Sequence, residues 1–321
     1  MGQNQRQCVL LLLAFFGFLS KSSGFRICSY NVQDFNVSKL SDPRVLHLLT
    51  KVLSRCDVCL LQEVRDLDGK AMKVLISSLN RYDEFSYKYV ASKGLGAEGD
   101  EQYVFVYRTK TAKLVDKYQY PDTKKGSEDV FSREPFIVHF NSSKTEVGDF
   151  VLIPLRVEPL NALKELDALY DVLTEIKEKW NVENVLLLGD FHADCGYVTR
   201  ESRRGNRLFS TLGLFWLLRD DADTTVTDMT DCAYDRFVVH GEKFLRAIEP
   251  LSARVFNFRK KYKIKSAEVL KISDHYPIEV LLKEKSSAQQ SSAQQQALLQ
   301  PFLLVLPLIA MALSTLPEST T

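Results

Sequence analysis

The sequence predicts one domain of the α+β or α/β class, two sheets packed face to face with helices outside. Two observations carry that expectation. Short apolar runs with strand spacing alternate with amphipathic helical stretches from Phe25 to Leu282, and no Pro/Gly/Ser linker or fixed-period repeat interrupts them. With 321 residues and 45% hydrophobic content, the chain is long enough to bury a sizeable core.

Taken in order, Phe25–Tyr30 reads as a strand and Val45–Ser54 has helical apolar spacing. Val58–Gln62 reads as a buried strand that ends at Glu63, and Gly69–Leu79 is again helical. Tyr87–Val90, Tyr103–Arg108, Thr111–Gln119, Phe136–Phe140 and Asp149–Leu155 follow as strands, with a polar loop at Pro121–Asp129. From about Leu160 to Trp180, Leu163, Leu166, Leu169, Leu173 and Ile176 mark one face of a long helix. Val185–Leu188 is a buried strand, Phe209–Leu218 is expected to be helical, and Tyr234–Val239, Ala253–Phe258 and Ile278–Leu282 are expected strands.

The two ends are set apart from residues 25–285. Arg6, the apolar run Val9–Leu19 and the small residues Ser20 to Gly24 have the order of a secretory signal, which removes residues 1–24 from the fold. At the other end, residues 286–321 combine a polar spacer with the apolar stretch Ala297–Leu313, the pattern of a glycolipid-anchor signal. A spanning helix or an unprocessed tail is the alternative; the prolines at 301 and 307 and the lack of a following Lys or Arg weigh against the span. Secretion permits disulfides and glycans, with sequons at Asn36 and Asn141. The mature part holds Cys28, Cys56, Cys59, Cys195 and Cys232, an odd number that leaves at least one thiol unpaired within the chain. A formal net charge of +1 supplies no bulk attraction for a polyanion, so any such binding must be local.

The chemistry gathers at strand ends. Val185–Leu188 runs into Gly189, Asp190, His192 and Asp194, which is either a turn with a capping Asp or a site. Ser29-Tyr30-Asn31, Gln62-Glu63-Val64-Arg65-Asp66 and Ser273-Asp274-His275 also follow or adjoin apolar strands. Glu63, Asp190 and Asp274 with Asn31 form an oxygen-rich set suited to a hard divalent cation. His275 is a candidate base if a carboxylate orients its ring.

QEVRD from Gln62, FSREP from Phe131, the ADC ending at Cys195, CAYDR from Cys232 and ISDHYP from Ile272 occur together in this order. On that set the chain resembles the deoxyribonuclease I family over essentially all of residues 25–282, and its tail is similar to that of the membrane-attached branch. The resemblance implies a four-layered α/β/β/α sandwich of the endonuclease/exonuclease/phosphatase type and hydrolysis of double-stranded DNA assisted by Mg²⁺ and Ca²⁺. It assigns Glu63 as a metal ligand with Asn31, Asp190 and Asp274 around metal and phosphate, His275 as general base and Asp235 as its orienting partner. It also assigns Arg65 to the minor groove, Arg133 to a phosphate, Cys195–Cys232 to a disulfide, and a monomer to the assembly.

Several positions depart from that pattern. The family's general-acid histidine aligns with Arg156, while Glu101, the acid that supports that histidine, remains. A guanidinium stays protonated to roughly pH 12 and beyond, so Arg156 cannot readily hand over a proton. His192 stands where the family has asparagine, Gln33 where some members have arginine, and the loop 94–100 is one residue short, with Gly99 near the place of a groove-stacking tyrosine. Either His192 and Arg156 form a rearranged acid site, or catalysis is reduced or lost. The alternatives from outside this class are a catalytically inactive surface protein that binds nucleic acid or a protein through the same groove, and another phosphodiesterase of the superfamily.

Overall fold

The structure, a computed structural model, describes residues 24–123 and 129–285. The expected signal before Gly24, the spacer and tail from residue 286, and the middle of the 121–129 loop lie outside the described residues. Of the described residues, those from Gly24 to Lys283 belong to one compact unit. No helix among the described residues is long and apolar enough to cross a membrane.

Among the described residues, twelve strands make two six-stranded sheets. The first has the order β11 (Arg254–Val255), β12 (Ile278–Leu282), β1 (Phe25–Phe35), β2 (Val58–Val64), β4 (Gln102–Arg108), β3 (Tyr87–Ala91). The second runs β5 (Lys113–Gln119), β6 (Phe136–Asn141), β7 (Asp149–Pro154), β8 (Val185–Asp190), β10 (Asp235–His240), β9 (Leu214–Trp216). Three helices of some length cover the outer faces: α1 (Pro43–Leu53) and α2 (Lys70–Tyr82) on the first sheet, α3 (Ala162–Trp180) on the second. The result is the expected α/β/β/α sandwich.

Strand periodicity explains how the layers separate and where the site falls. Phe25 and Ile27 of β1, Val58 and Leu60 of β2, Phe150 and Leu152 of β7, Leu186 and Leu188 of β8, and Phe237 and Val239 of β10 all point into the core between the sheets. Their alternate neighbours, among them Cys28, Tyr30 and Leu61, or Val151, Leu187 and Val238, pack under the outer helices. Counting on by twos from the inner residues reaches Asn31, Gln62, Arg156, Asp190 and Asp235. The site is therefore the place where the inner faces of both sheets change from apolar to polar.

Two disulfides close loops, Cys195–Cys232 as the resemblance implied and Cys28–Cys56 beside it. Each constrains the unfolded chain by roughly 3 to 4 kcal/mol in the loop-entropy account. Cys59, opposite Cys28 in the parallel register of β1 and β2, is left as a buried thiol.

Two expected elements are corrected. Phe209–Leu218 is not a helix: only Arg207–Ser210 is helical, Gly213 has φ +87°, and Leu214–Trp216 joins β10 as an edge strand. The reversal lets the Trp216 ring stack on Phe209 at 4.2 Å, a contact a continuous helix does not provide. Of Ala253–Phe258 only Arg254–Val255 is strand, because Asn257 accepts from the Lys260 amide and starts a short helix at Phe258.

Candidate active site

Gln62 straps the sheets together at the floor of the site. Its Nε2 donates to the Leu155 carbonyl (2.9 Å) and its Oε1 accepts from the Asp190 amide (3.0 Å), so one fully buried side chain joins β2 to β7 and β8. Gly189 makes room for this: a Cβ there would stand 2.1 Å from the Leu155 oxygen and 2.8 Å from Gln62 Nε2. The backbone leaves ordinary strand geometry around the same point. Glu63 (φ +57°), at a bulge between β2 and β4, and His192 (φ +43°), just past β8, both occupy the left-handed region that costs a non-glycine residue energy.

On one side of the floor lies an imidazole between carboxylates. His275 Nδ1 is 2.7 Å from Asp235 Oδ2, and its Nε2 is 3.8 Å from Asp190 Oδ2. Ser273 fixes the approach by donating to the Asn31 carbonyl (2.7 Å) while accepting from the His275 amide (2.9 Å). Burial by itself depresses an imidazole pKa, but the facing Asp235 and Asp190 carboxylates outweigh it and raise His275 to about 10. Asp190 is fully buried, yet His192, His275 and Arg156 hold it well below the usual carboxylate range. Asp190, Asp235 and His275 bring ligand atoms within 4.8 Å of one another. Asp274 is more remote, half-exposed and 4.0 Å from His275 Nε2.

The other side is a lattice of fixed charges. Arg156 places Nη2 and Nε at 2.7 and 3.0 Å from Glu63 Oε1, and Nη1 at 3.4 Å from Glu101 Oε1. Arg133 Nε donates to the second Glu101 oxygen (2.7 Å), so Glu101 bridges two arginines. Asn31 joins this side to the first by donating Nδ2 to Glu63 Oε1 (2.8 Å) and Asp190 Oδ2 (3.2 Å). Burial opposes a charge on Glu63, but Arg156 and the Asn31 amide keep its pKa below the ordinary value.

The other expected residues fall around the rim. Arg65 is held between Asp34 (2.9 Å) and Asp100 (2.6 Å) and is 39% exposed. His192 Nδ1 is 2.7 Å from Asp190 Oδ1, and its ring stacks on Tyr234 at 4.3 Å. Among the described residues no hydrogen bond or ion pair joins His192 to Arg156. Asn36 caps a short helix through Lys39 N and Asn141 donates to Asp149, so both sequon amides are engaged within the chain.

Sequence reasoning missed three working residues. Gln62 was visible only as part of a motif. Tyr103, whose hydroxyl accepts from the Arg156 amide (2.8 Å), reads as one more core aromatic. Glu165 is buried in α3 and accepts from Ser132 Oγ (2.8 Å) and the Glu158 amide (3.1 Å), tying both arginine-bearing segments to the helix. A glutamate on the apolar face of α3 was the available signal.

Residues 28–275 match the endonuclease/exonuclease/phosphatase family. The chain belongs to that family. Human deoxyribonuclease gamma is 41% identical over 86% of this chain and 90% of its own length. Mouse deoxyribonuclease-1-like 2 is 44% identical over 82% and 93%, which puts this family member among the deoxyribonucleases. In fold it is similar to the human Nocturnin catalytic domain, with a TM-score of 0.56 at 16% identity over 82% of this chain and 95% of that one.

Deoxyribonuclease I-type members of the endonuclease/exonuclease/phosphatase family are metal-dependent. The side chains around Glu63 do not fit a divalent ion as they stand. Glu63 Oε1 already holds a guanidinium, and Asn31 turns its N–H groups, not its oxygen, toward Glu63 and Asp190. A cation bound to Glu63 Oε1 has to displace Arg156, whereas Oε2 accepts from the Asp34 amide at 3.4 Å.

Proposed function

We propose that this chain is an endonuclease of the deoxyribonuclease I type that hydrolyses phosphodiester bonds of double-stranded DNA at reduced turnover. The observation that supports this reading most directly is the Asp235–His275 pair beside Asp190 and Asn31 at the joined edges of two sheets. Once His275 has given up its proton, its ring can take one from an attacking water, while Asp235 holds the ring and stabilises the imidazolium that results. Asn31 holds Glu63 and Asp190 in place with its two amide hydrogens, and Arg156 and Arg133 offer positive charge to a phosphate.

The weak step is protonation of the leaving oxygen. Arg156 cannot release a proton near neutral pH, and general acid catalysis contributes about 10²- to 10⁴-fold. Mg²⁺ and Ca²⁺ are the ions that likeness to the deoxyribonucleases proposes for the reaction, away from the Glu63 oxygen that Arg156 occupies. Two disulfides fit an oxidising compartment, in line with a secreted or surface-anchored monomer whose residues 1–24 are a signal and whose residues 286–321 carry a glycolipid-anchor signal. Arg65 is proposed to reach the minor groove from the rim, and Asn36 and Asn141 to carry glycans.

Plasmid nicking in Mg²⁺ and Ca²⁺ tests this reading. Slow cleavage that disappears in Glu63→Ala and quickens in Arg156→His supports it. Full DNA binding with no cleavage by wild type or Arg156→His points to the binding protein instead.

A further inference from the structure

We propose that the Arg156 guanidinium is a built-in cation that takes the place of a divalent ion at Glu63, so that this site engages a phosphodiester anion without metal. The inference rests on the nucleic-acid reading given above and adds to it which positive charge does the binding.

Four observations lead there. Two guanidinium nitrogens converge on one Glu63 oxygen at 2.7 and 3.0 Å, the position a metal ligand must keep free. The arginine is also pre-positioned: its backbone amide is bonded to the hydroxyl of Tyr103, whose ring packs in the core between the sheets, and only 17% of its side chain is exposed. Its third nitrogen, Nη1, is buried and has no hydrogen-bond acceptor among the described residues, with Glu101 Oε1 3.4 Å away. A buried guanidinium N–H without an acceptor is costly, and a phosphate oxygen is an acceptor of matching charge. Finally, Glu63, Glu101 and Asp190 set three carboxylates around the pocket, and a phosphate cannot approach them unless a cation stands between.

The same geometry makes Arg156 and a metal mutually exclusive at Glu63 Oε1. An ion on the Glu63 oxygen stands within a few ångströms of the guanidinium, where like charges repel strongly in a partly buried setting.

Two titrations of the full chain test the proposal. In the absence of DNA, Mn²⁺ binding is followed by the loss of its free-ion EPR signal. Arg156→Gln and Arg156→Met are expected to bind one Mn²⁺ roughly tenfold or more tightly than wild type, a gain abolished by adding Glu63→Ala. Arg156→Lys, which keeps the charge, is expected to stay as weak as wild type. Equal affinity in wild type and both neutral variants overturns the proposal, and so does tight binding by Arg156→Lys should the neutral variants fail to fold.

In the second titration, anisotropy of a labelled duplex is recorded in EDTA and in Mg²⁺. Wild-type affinity is expected to agree within about threefold between the two, while Arg156→Gln loses about tenfold or more in EDTA. Wild-type binding that needs Mg²⁺ overturns the proposal. If wild type binds no duplex in either buffer, the nucleic-acid reading and the phosphate half of the proposal fall together, and the Mn²⁺ titration alone judges whether Arg156 is the cation.

Discussion

The two sides of the pocket are built alike and do different chemistry. Both continue the inner-face alternation of their strands, and both hang from the Gln62 strap and the Asn31 amide. The Asp235–His275 side keeps a titratable imidazole, which the facing carboxylates raise to about 10, so that it has to lose a proton before it can act as a base. The Glu63–Arg156–Glu101–Arg133 side holds carboxylates and guanidiniums in fixed ion pairs. A scaffold can thus retain its geometry while one substitution changes a proton donor into a permanent charge.

The sharpest way to break this comparison is to restore a titratable group at position 156. Arg156→His should raise plasmid cleavage by about 10²-fold or more, within the range for general acid catalysis, with little change in the melting temperature. On the intact side, His275→Ala should abolish cleavage in wild type and in the Arg156→His background alike. If Arg156→His leaves the rate unchanged, the charged side is not what limits turnover.

Stability should separate the strap from the sides it carries. Gln62→Leu leaves the Asp190 amide and the Leu155 carbonyl without partners and should cost about 2 to 5 kcal/mol in urea unfolding. Glu165 provides the pH dependence of the charged side. Burial outweighs its bonds to Ser132 and Glu158 and raises the carboxyl to about 7, and its Oε2 is buried with no hydrogen-bond partner among the described residues. Between the unfolded value near 4.5 and the folded value near 7 the native state holds the extra proton, so stability falls as pH rises across that window and levels off above it. The loss is about 2 to 3 kcal/mol, and Glu165→Gln should abolish it when urea midpoints are compared at pH 5 and pH 8.

Much of this was legible in the sequence because it depends on local pattern. The strand ending at Asp190, the helix on Leu166 and Leu169, and the pairing of His275 with Asp235 follow from periodicity or from motifs in a fixed order. The Phe209–Leu218 segment misled because its apolar spacing suits a helix, whereas a glycine reversal and an aromatic stack decide its path. The Cys28–Cys56 disulfide was not legible either. Cys56 and Cys59 are the near neighbours in sequence, but Cys28 meets Cys56 across the turn that feeds β2. Nor did residue type reveal that Arg156 would fold back onto Glu63, since that contact joins segments 93 positions apart.

The smallest expected effect concerns His192, the residue that a rearranged acid site would use to join the two sides. Its ring is committed to Asp190 at 2.7 Å and to Tyr234 at 4.3 Å, and no hydrogen bond or ion pair among the described residues leads from it to Arg156. An acid must reach the leaving oxygen directly or through a neighbour, and a ring held flat against Tyr234 has little freedom to do so. His192→Asn keeps a donor of similar reach beside Asp190 while removing the titratable group. Cleavage should therefore change by less than about threefold, well below the 10²-fold that loss of a general acid brings. A fall of that larger size in His192→Asn, with Asp190 still buried and the fold intact by circular dichroism, would join the two sides after all and make His192 the donor that Arg156 cannot be.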